Sequence, residues 1–488
     1  MATQEINITD ISIIITYFLV SILIGCYFLS KGRTTLSFIS PPLISKWLLG
    51  FSIYGTYISN IAILSLPSEA FFGNWSSIAV YASLPLCAWV ASKYFITYYR
   101  GKGYISAYSH LRDRFGPRAS DFSVLSYLLL NICRNGIIVY LMGNVISAFT
   151  GWESQSIIIA TVFVVMLYTY IGGMNAIIWV DLIRGIIILA SLLASIITIF
   201  YLISGEFKTT ENWLLNSNKL SLGDFSLNFS TKTIWILIIY GFFSNLLGYI
   251  GEQSTVQRYI MAKTTNDAKH ALWIGAILTL LTIFALFFIG SCFSYIIHAH
   301  LPAAVQVQLT SETDLFIYLY EVIPSGIKGL LIITILAAGM SSIDIELIAC
   351  STILYKDVYC VYYNRIPTEQ ESFRFLHMSS LLIALFGVML SLILNIDEGA
   401  VNKWWTFDSI FSGGILGLII LAFLSKNITK KQGLVSIIVG ITVTLLFCLF
   451  NSSSIHPIIP IHNLLAVVIG SMSIITVGFS LNFLQKNK

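Results

Sequence analysis

Four polar side chains interrupt one otherwise apolar stretch. Ser341, Ser342, Asp344 and Glu346 fall within Leu336–Asp357, LAAGMSSIDIELIACSTILYKD. An acidic side chain near mid-bilayer costs roughly 2.5–3.5 kcal/mol on insertion scales, so it faces a bundle interior, a water-filled cavity or a bound cation. Side chains three or four apart share a helix face. Ser341, Asp344 and Ile345 therefore form one row, and Ser342, Ile345 and Glu346 another. Hydroxyl and carboxylate oxygens beside small residues are what a desolvated hard cation such as sodium takes as ligands. The pattern predicts a membrane bundle built around an ion site on this helix.

Composition supports the membrane. The chain is 57% hydrophobic and 10% charged, with mean hydropathy +0.84, where soluble domains carry roughly 25% charged residues. That excludes a soluble globular protein. The formal net charge of +4 is spread over short loops, so no nucleic-acid partner is expected. Cys26, Cys87, Cys133, Cys292, Cys350, Cys360 and Cys448 are scattered, without CxxC or Cys/His spacing, and read as small buried hydrophobes. The histidines show no metal-ligand spacing, and no nucleotide-binding loop or nucleophile elbow appears, so an enzyme is not expected. The N-terminus, MATQEINITD, lacks the basic n-region of a signal peptide. The run Ile11–Leu29 is long enough to span a bilayer itself.

A window of about 19 residues gives thirteen candidate spans: 10–30, 47–72, 76–98, 119–149, 153–172, 177–204, 232–251, 268–299, 327–361, 371–395, 403–424, 430–450 and 459–484. An odd number puts the termini on opposite faces. With the N-terminus outside, most Lys and Arg fall on the inside, among them Lys31, Arg33, Arg100, Arg112, Lys263, Lys356, Lys426 and Lys488. The positive-inside rule favours that orientation. The long connections Gly205–Thr231 and His300–Gly326 then lie outside, with room for short lid helices but for no soluble domain.

Two spans are punctuated at corresponding places. GFSIYGTYISNIAILSLPSEAFFGNW contains Gly50, Gly55, Ser59, Asn60 and Pro67, and IIYGFFSNLLGYIGEQ contains Gly241, Asn245, Gly248 and Gly251. They open two five-span halves, 47–204 and 232–424, which an odd span count inserts with opposite polarity. Residues 1–46 form an extra helix with an inside loop, 205–231 an outside loop, and 425–488 two further helices. Paired broken helices in inverted halves point to a transport site at the bilayer midplane.

At this point the chain resembles the sodium/solute symporter family, whose members share a LeuT-type 5+5 inverted-repeat core, all α, with about thirteen transmembrane helices here. YIGGMNAIIWVD (Tyr170–Asp181) is similar to the family's GGxxAVxWTD, GEQSTVQRYI (Gly251–Ile260) to its QxxVQRY, and AAGMSSIDIELIACSTILYKDVY (Ala337–Tyr359) to its SSxSSxLNSxSTxxxxDxY. The broken second span is the fourth stretch that carries the resemblance.

The resemblance implies a sodium ion held by the carbonyls of Gly55, Ile58 and Ala338 and the hydroxyls of Ser341 and Ser342. Unwound backbone frees carbonyls that lipid cannot satisfy and a cation can. The alternative for the two serines is back-bonding to carbonyls one turn earlier. Asp181 matches the acidic position after the family's tryptophan. The second serine pair of the motif is here Asp344 and Ile345, which leaves two readings: a second cation or a proton on Asp181 and Asp344, or pairing of one aspartate with Arg184. Arg134, midway along its span, offers a carboxylate-matching fork. The sialic-acid-transporting branch has arginine there for its substrate's carboxylate. Ser59, Tyr57, Asn60, Tyr81 and Arg134 are the expected solute-binding residues, although Tyr57, Asn60 and Tyr81 depart from that branch.

These readings converge on sodium-coupled uptake of a small polar solute by alternating access. Carboxylated sugars such as sialic acid lead, followed by neutral sugars, then amino or other organic acids. Sodium is the one metal ion named, with a second cation or a proton left open at Asp181 and Asp344. A bilayer-embedded monomer of a bacterial inner membrane is expected. The competing readings are a transport-inactive sensor of the same fold and a channel. A sensor is expected to carry a fused signalling domain, and this chain ends soon after its last span.

Overall fold

The computed structural model describes residues 8–29, 34–300, 311–322, 327–363, 365–394, 399–425, 427–451 and 460–486. Lys31, Arg33, Lys426, Lys488 and most of the connection 300–326 lie outside the described residues. The elements used below are helices α1 (Ile8–Leu29), α2 (Lys46–Tyr57), α3 (Asn60–Phe72), α4 (Trp75–Lys102), α5 (Pro117–Thr150), α6 (Ser154–Leu202) and α7 (Ile234–Ile250). They continue with α8 (Gln253–Met261), α9 (Thr265–His300), α10 (Ile327–Tyr363), α11 (Glu369–Ile393), α12 (Ala400–Leu424), α13 (Lys430–Asn451) and α14 (Ala466–Lys486). The fold is the expected LeuT-type bundle.

Two pairs are single spans broken in the middle. α2 and α3 are bent by 58° across Ile58 and Ser59, and α7 and α8 by 43° across Gly251 and Glu252. Ile58 (φ −89°, ψ 92°) and Ser59 (φ −86°, ψ 170°) are extended, so the last carbonyls of α2 lose their intrahelical partners. Pro67 does not make the break: it lies inside α3.

α6 has 49 residues, about 74 Å at 1.5 Å per residue and more than two bilayer cores long. Gly173 divides it at φ +59°, a backbone region that side chains other than glycine's rarely adopt. The chain doubles back there, because Tyr168 Oη lies 2.6 Å from Nη2 of Arg184, sixteen positions later. Counting α6 as two spans and each bent pair as one gives thirteen among the described residues.

All of α10's apolar window is buried, against 17% of α1's. α10 is thus the axis and α1 is peripheral. α2, α5 and α6 pack on α10 from the first half. The first long connection carries the short helix Phe207–Asn216, and Glu312–Val322 lies in the second, as expected of short lid helices.

Polar contacts on the loops after α4 and α8 close one end of the bundle. Arg100 donates to the carbonyls of Tyr259, Ile260 and Ala262, which terminate α8. Gln253 accepts from the Ala107 amide at 2.7 Å and donates to the Ile105 carbonyl at 2.9 Å. Arg112, Ser106 and Ser109 all donate to Asp357. The span predicted at 232–251 is longer than expected: Gln257, Arg258 and Tyr259 form part of its second half, α8, and are fully buried.

Candidate ion and solute site

The break in α2/α3 faces the middle of α10. Ser342 donates to the Ala338 carbonyl at 3.2 Å within its own helix and reaches the Thr56 carbonyl at 3.5 Å. A Cβ built on Gly55 would meet Ser341 Oγ at 3.3 Å, so glycine sets how closely the two helices approach. The expected ligands Gly55, Ala338, Ser341 and Ser342 thus meet at one junction, and Ile58 sits at the break itself, 1% exposed. Of the two serines only Ser342 back-bonds one turn earlier, and it also faces α2; Ser341 donates to Asp181 instead. The α2 carbonyl that Ser342 reaches is that of Thr56, which was not among the expected ligands.

Ser341 donates to Asp181 Oδ1 at 2.6 Å, and Ser52 to Asp181 Oδ2 at 2.6 Å. Arg184 lies between the two aspartates. Its Nη1 is 2.6 Å from Asp344 Oδ2 and 3.3 Å from Asp181 Oδ1, all three side chains being fully buried. Nη2 bonds Tyr168 at 2.6 Å and Nε bonds Tyr17 of α1 at 3.0 Å. Arg258 adds a second guanidinium, donating to Ser52 at 2.9 Å and to Thr56 Oγ1, and lying 3.5 Å from Asp181. Asp181 and Asp344 therefore belong to a four-charge network with no net charge.

A cavity opens on the other side of the break. Tyr57, Ser59, Tyr81 and Arg134 line it, together with Thr56, Tyr127, Glu252, Trp404 and Asp408. Asn60 is not among them. Its Nδ2 donates to the Ile138 carbonyl at 2.9 Å, so it faces α5, because it opens α3 on the opposite side from Ser59. Tyr57 is committed to a hydrogen bond with Asn245. Arg134 Nη1 pairs with Glu252 at 2.7 Å and Glu346 at 3.4 Å, while Nη2 has only a 3.4 Å contact with the Thr56 carbonyl. Trp404 covers this guanidinium, with its ring centroid 5.1 Å away. Asp408 accepts from Tyr240 at 2.8 Å, Ser244 at 2.6 Å and Ser412 at 2.5 Å.

Glu252 and Asp408 were missed as cavity residues. Both were detectable: each is an acid inside an apolar span, and Glu252 stands at the break within the quoted GEQSTVQRYI.

The sequence profile of the sodium:solute symporter family matches residues 38–440. The chain belongs to the sodium:solute symporter family. The symporter is 25% identical to the sodium/sialic acid symporter SiaT of Proteus mirabilis, over 98% of this chain and 95% of that protein. It is 26% identical to the sodium/sialic acid symporter NanT of Aliivibrio fischeri, over 86% of this chain and 84% of the other. A solved sodium-coupled sialic acid symporter, in a substrate-bound outward-open state, superposes with a TM-score of 0.86 at 24% identity, covering 98% of both chains. The nucleobase-cation symporter Mhp1 superposes at 0.60 and 12% identity, covering 92% of this chain and 96% of that one. Membership makes this an integral membrane transporter that couples sodium to a small solute.

Proposed function

We propose that the symporter imports a carboxylated sugar such as sialic acid, driven by one sodium ion seated at the α2/α10 junction. The carrying observation is the junction itself, where Ser342 faces the carbonyl freed by the helix break across 3.5 Å. Sodium is a transported substrate here. Its ligands are the carbonyls of Gly55, Thr56, Ile58 and Ala338 and the hydroxyls of Ser341 and Ser342. Ser341 keeps its oxygen lone pairs for the ion while its proton goes to Asp181. Sodium draws α2 onto α10 and so fixes Thr56 and Ser59 in the cavity wall. If sodium raises solute affinity, solute raises sodium affinity by the same factor.

Arg134 reads the solute's carboxylate through its less engaged Nη2. Ser59, Tyr57 and Tyr81 face the sugar's hydroxyls, and Asn60, with its amide on α5, drops out of the solute set. Support for the substrate class comes from the two sialic acid symporters, each similar over most of this chain. A neutral sugar is the second reading, favoured by Glu252 and Glu346 already sharing Arg134. The chain is taken as a monomer in a bacterial inner membrane, N-terminus outside and C-terminus inside. The units are the extra helix 1–46, the halves 47–204 and 232–424 joined by 205–231, and the two helices of 425–488.

The test is accumulation of labelled sialic acid in proteoliposomes with sodium outside. Concentrative uptake in sodium that vanishes in choline is expected. Equal uptake in both overturns the reading. Arg134→Gln separates the two solutes: it abolishes uptake if the carboxylate is read there, and leaves a neutral sugar's uptake within a few fold.

A further inference from the structure

The network around Arg184 has the composition of a cation site. Two carboxylates, Asp181 and Asp344, and two hydroxyls, Ser52 and Ser341, converge from three helices in a fully buried place. A pair of carboxylates so buried calls for a positive charge, since each alone is costly and together they repel. The chain supplies that charge from one of its own side chains. Arg184 projects one turn after Asp181, and its Nη1 lies against an oxygen of each aspartate, at 3.3 Å and 2.6 Å.

We infer that Arg184 is a tethered cation that takes the place of a second transported ion, so that the symporter binds one sodium and no more. This rests on the proposed sodium site at Ser341 and Ser342. Three observations carry it. Every nitrogen of the guanidinium is engaged, and four of its five N–H donors are used, on Tyr17, the two aspartates and Tyr168. Arginine stays charged under all working conditions, so the charge never leaves. The network is neutral once Arg258 is counted, because that side chain also lies against Asp181. A further ion would bring an uncompensated charge into a medium where like charges a few ångströms apart interact strongly.

One oxygen locates where an ion enters if the arginine is lost. Asp344 Oδ1 is buried and makes no hydrogen bond among the described residues. In the parent it shares its carboxylate with an oxygen 2.6 Å from Nη1, so a metal ion on Oδ1 would face a full positive charge across one carboxylate. With a neutral side chain at 184, Oδ1, Asp181 and Ser341 become available ligands for a small monovalent ion. The tether has a mechanical consequence too. A diffusible ion makes the α6/α10 junction assemble and release in each cycle, whereas Arg184 keeps α1, both arms of α6 and α10 joined throughout.

The experiment counts ions directly and needs no solute. Equilibrium binding of 22Na to purified full-length protein in detergent, with choline as the balancing cation, gives the number of sodium ions per chain. One ion with a Hill coefficient of one is expected for the parent, and two for Arg184→Gln. Arg184→Gln/Asp344→Asn, which restores neutrality, should return the count to one and stands in if the single variant fails to fold. Two ions on the parent, one on a folded Arg184→Gln, or two on the double variant would overturn the inference. No saturable sodium on the parent, or sodium binding unchanged by Ser342→Ala, would instead overturn the site on which it rests.

Discussion

Ser341 and Ser342 are adjacent in sequence, yet their surroundings ask different things of them. Ser342 touches only carbonyls, those of Thr56 and Ala338, so Ser342→Ala removes one neutral ion ligand and little else. A net hydrogen bond or neutral ligand of this kind is worth on the order of 1 kcal/mol, or about five- to tenfold. The half-saturating sodium concentration should rise by about that factor, as read by sodium-dependent thermal shift, with the midpoint in choline nearly unchanged. Ser341 also satisfies Asp181 Oδ1 at 2.6 Å. Ser341→Ala should therefore lower the melting temperature in choline as well, because a buried carboxylate loses a donor. If both variants behave alike in choline, the division of labour between them is wrong. Arg184 shows why residue roles were only partly legible. The sequence left a diffusible cation, a proton and pairing with Arg184 as open readings for the two aspartates. Distances were needed because helical spacing links Asp181 to Arg184 but says nothing about Asp344, which lies 160 positions away on another helix.

The broken spans are the elements on which the site depends, and they were the most legible part of the chain. Apolar length, the basic loops and the matched glycines predicted thirteen spans and two interruptions, and the structure has both. The named residues Ser59 and Gly251 stand at the two breaks, but others that suggested a break do not mark one: Pro67 lies inside α3, and Gly55 and Gly241 serve close packing instead. At the first break, across Ile58 and Ser59, tertiary contact and not local propensity decides the position. A Cβ on Gly241 would lie 2.0 Å from the Val80 carbonyl oxygen of α4. Backbone cannot retreat from that overlap as a side chain does. Gly241→Ala should therefore push α7 off α4, at a cost of about 1–3 kcal/mol for overpacking. The expected outcome is a melting temperature several degrees lower in detergent together with reduced transport. An unchanged melting temperature would mean that α7 seats elsewhere. Glu252, at the second break, moves with α7 and α8, so displacement of this span should also disturb its pairing with Arg134.

At the scale of the whole molecule, alternating access requires closures that release without dismantling the core, and the end of the bundle at Glu69 and Glu312 is held by polar contacts on a few acidic residues. Glu69 accepts from Ser77 at 2.6 Å, Asn402 at 2.8 Å and Lys232 at 3.1 Å, tying α3 to the start of α12 and to the entry of α7. Glu312, on the short helix Glu312–Val322, accepts from Ser65 at 2.8 Å and from the Ala400 amide at 3.0 Å, so it links the middle of α3 to the first turn of α12. Burial pushes the Glu312 carboxyl up to about 7, with the nearby Glu69 acting in the same direction and the bonds from Ser65 and Ala400 opposing. A carboxyl raised from 4.5 to about 7 binds its proton more tightly folded than unfolded. Its contribution to stability is therefore full below the lower value and is lost as pH rises through the higher one. Between about pH 5 and pH 7.5 this closure should loosen as Glu312 ionises beside Glu69. Thermal unfolding in choline should show a melting temperature that falls across this window. Glu312→Gln, which keeps one oxygen for the Ala400 amide, turns its NH2 toward the Ser65 hydroxyl as the protonated carboxyl would turn its O–H, and cannot ionise, should flatten that slope and hold the protein at its low-pH value. A slope that survives the substitution would place the titrating group elsewhere, and Glu69→Gln, which frees Lys232, would then be the variant to compare.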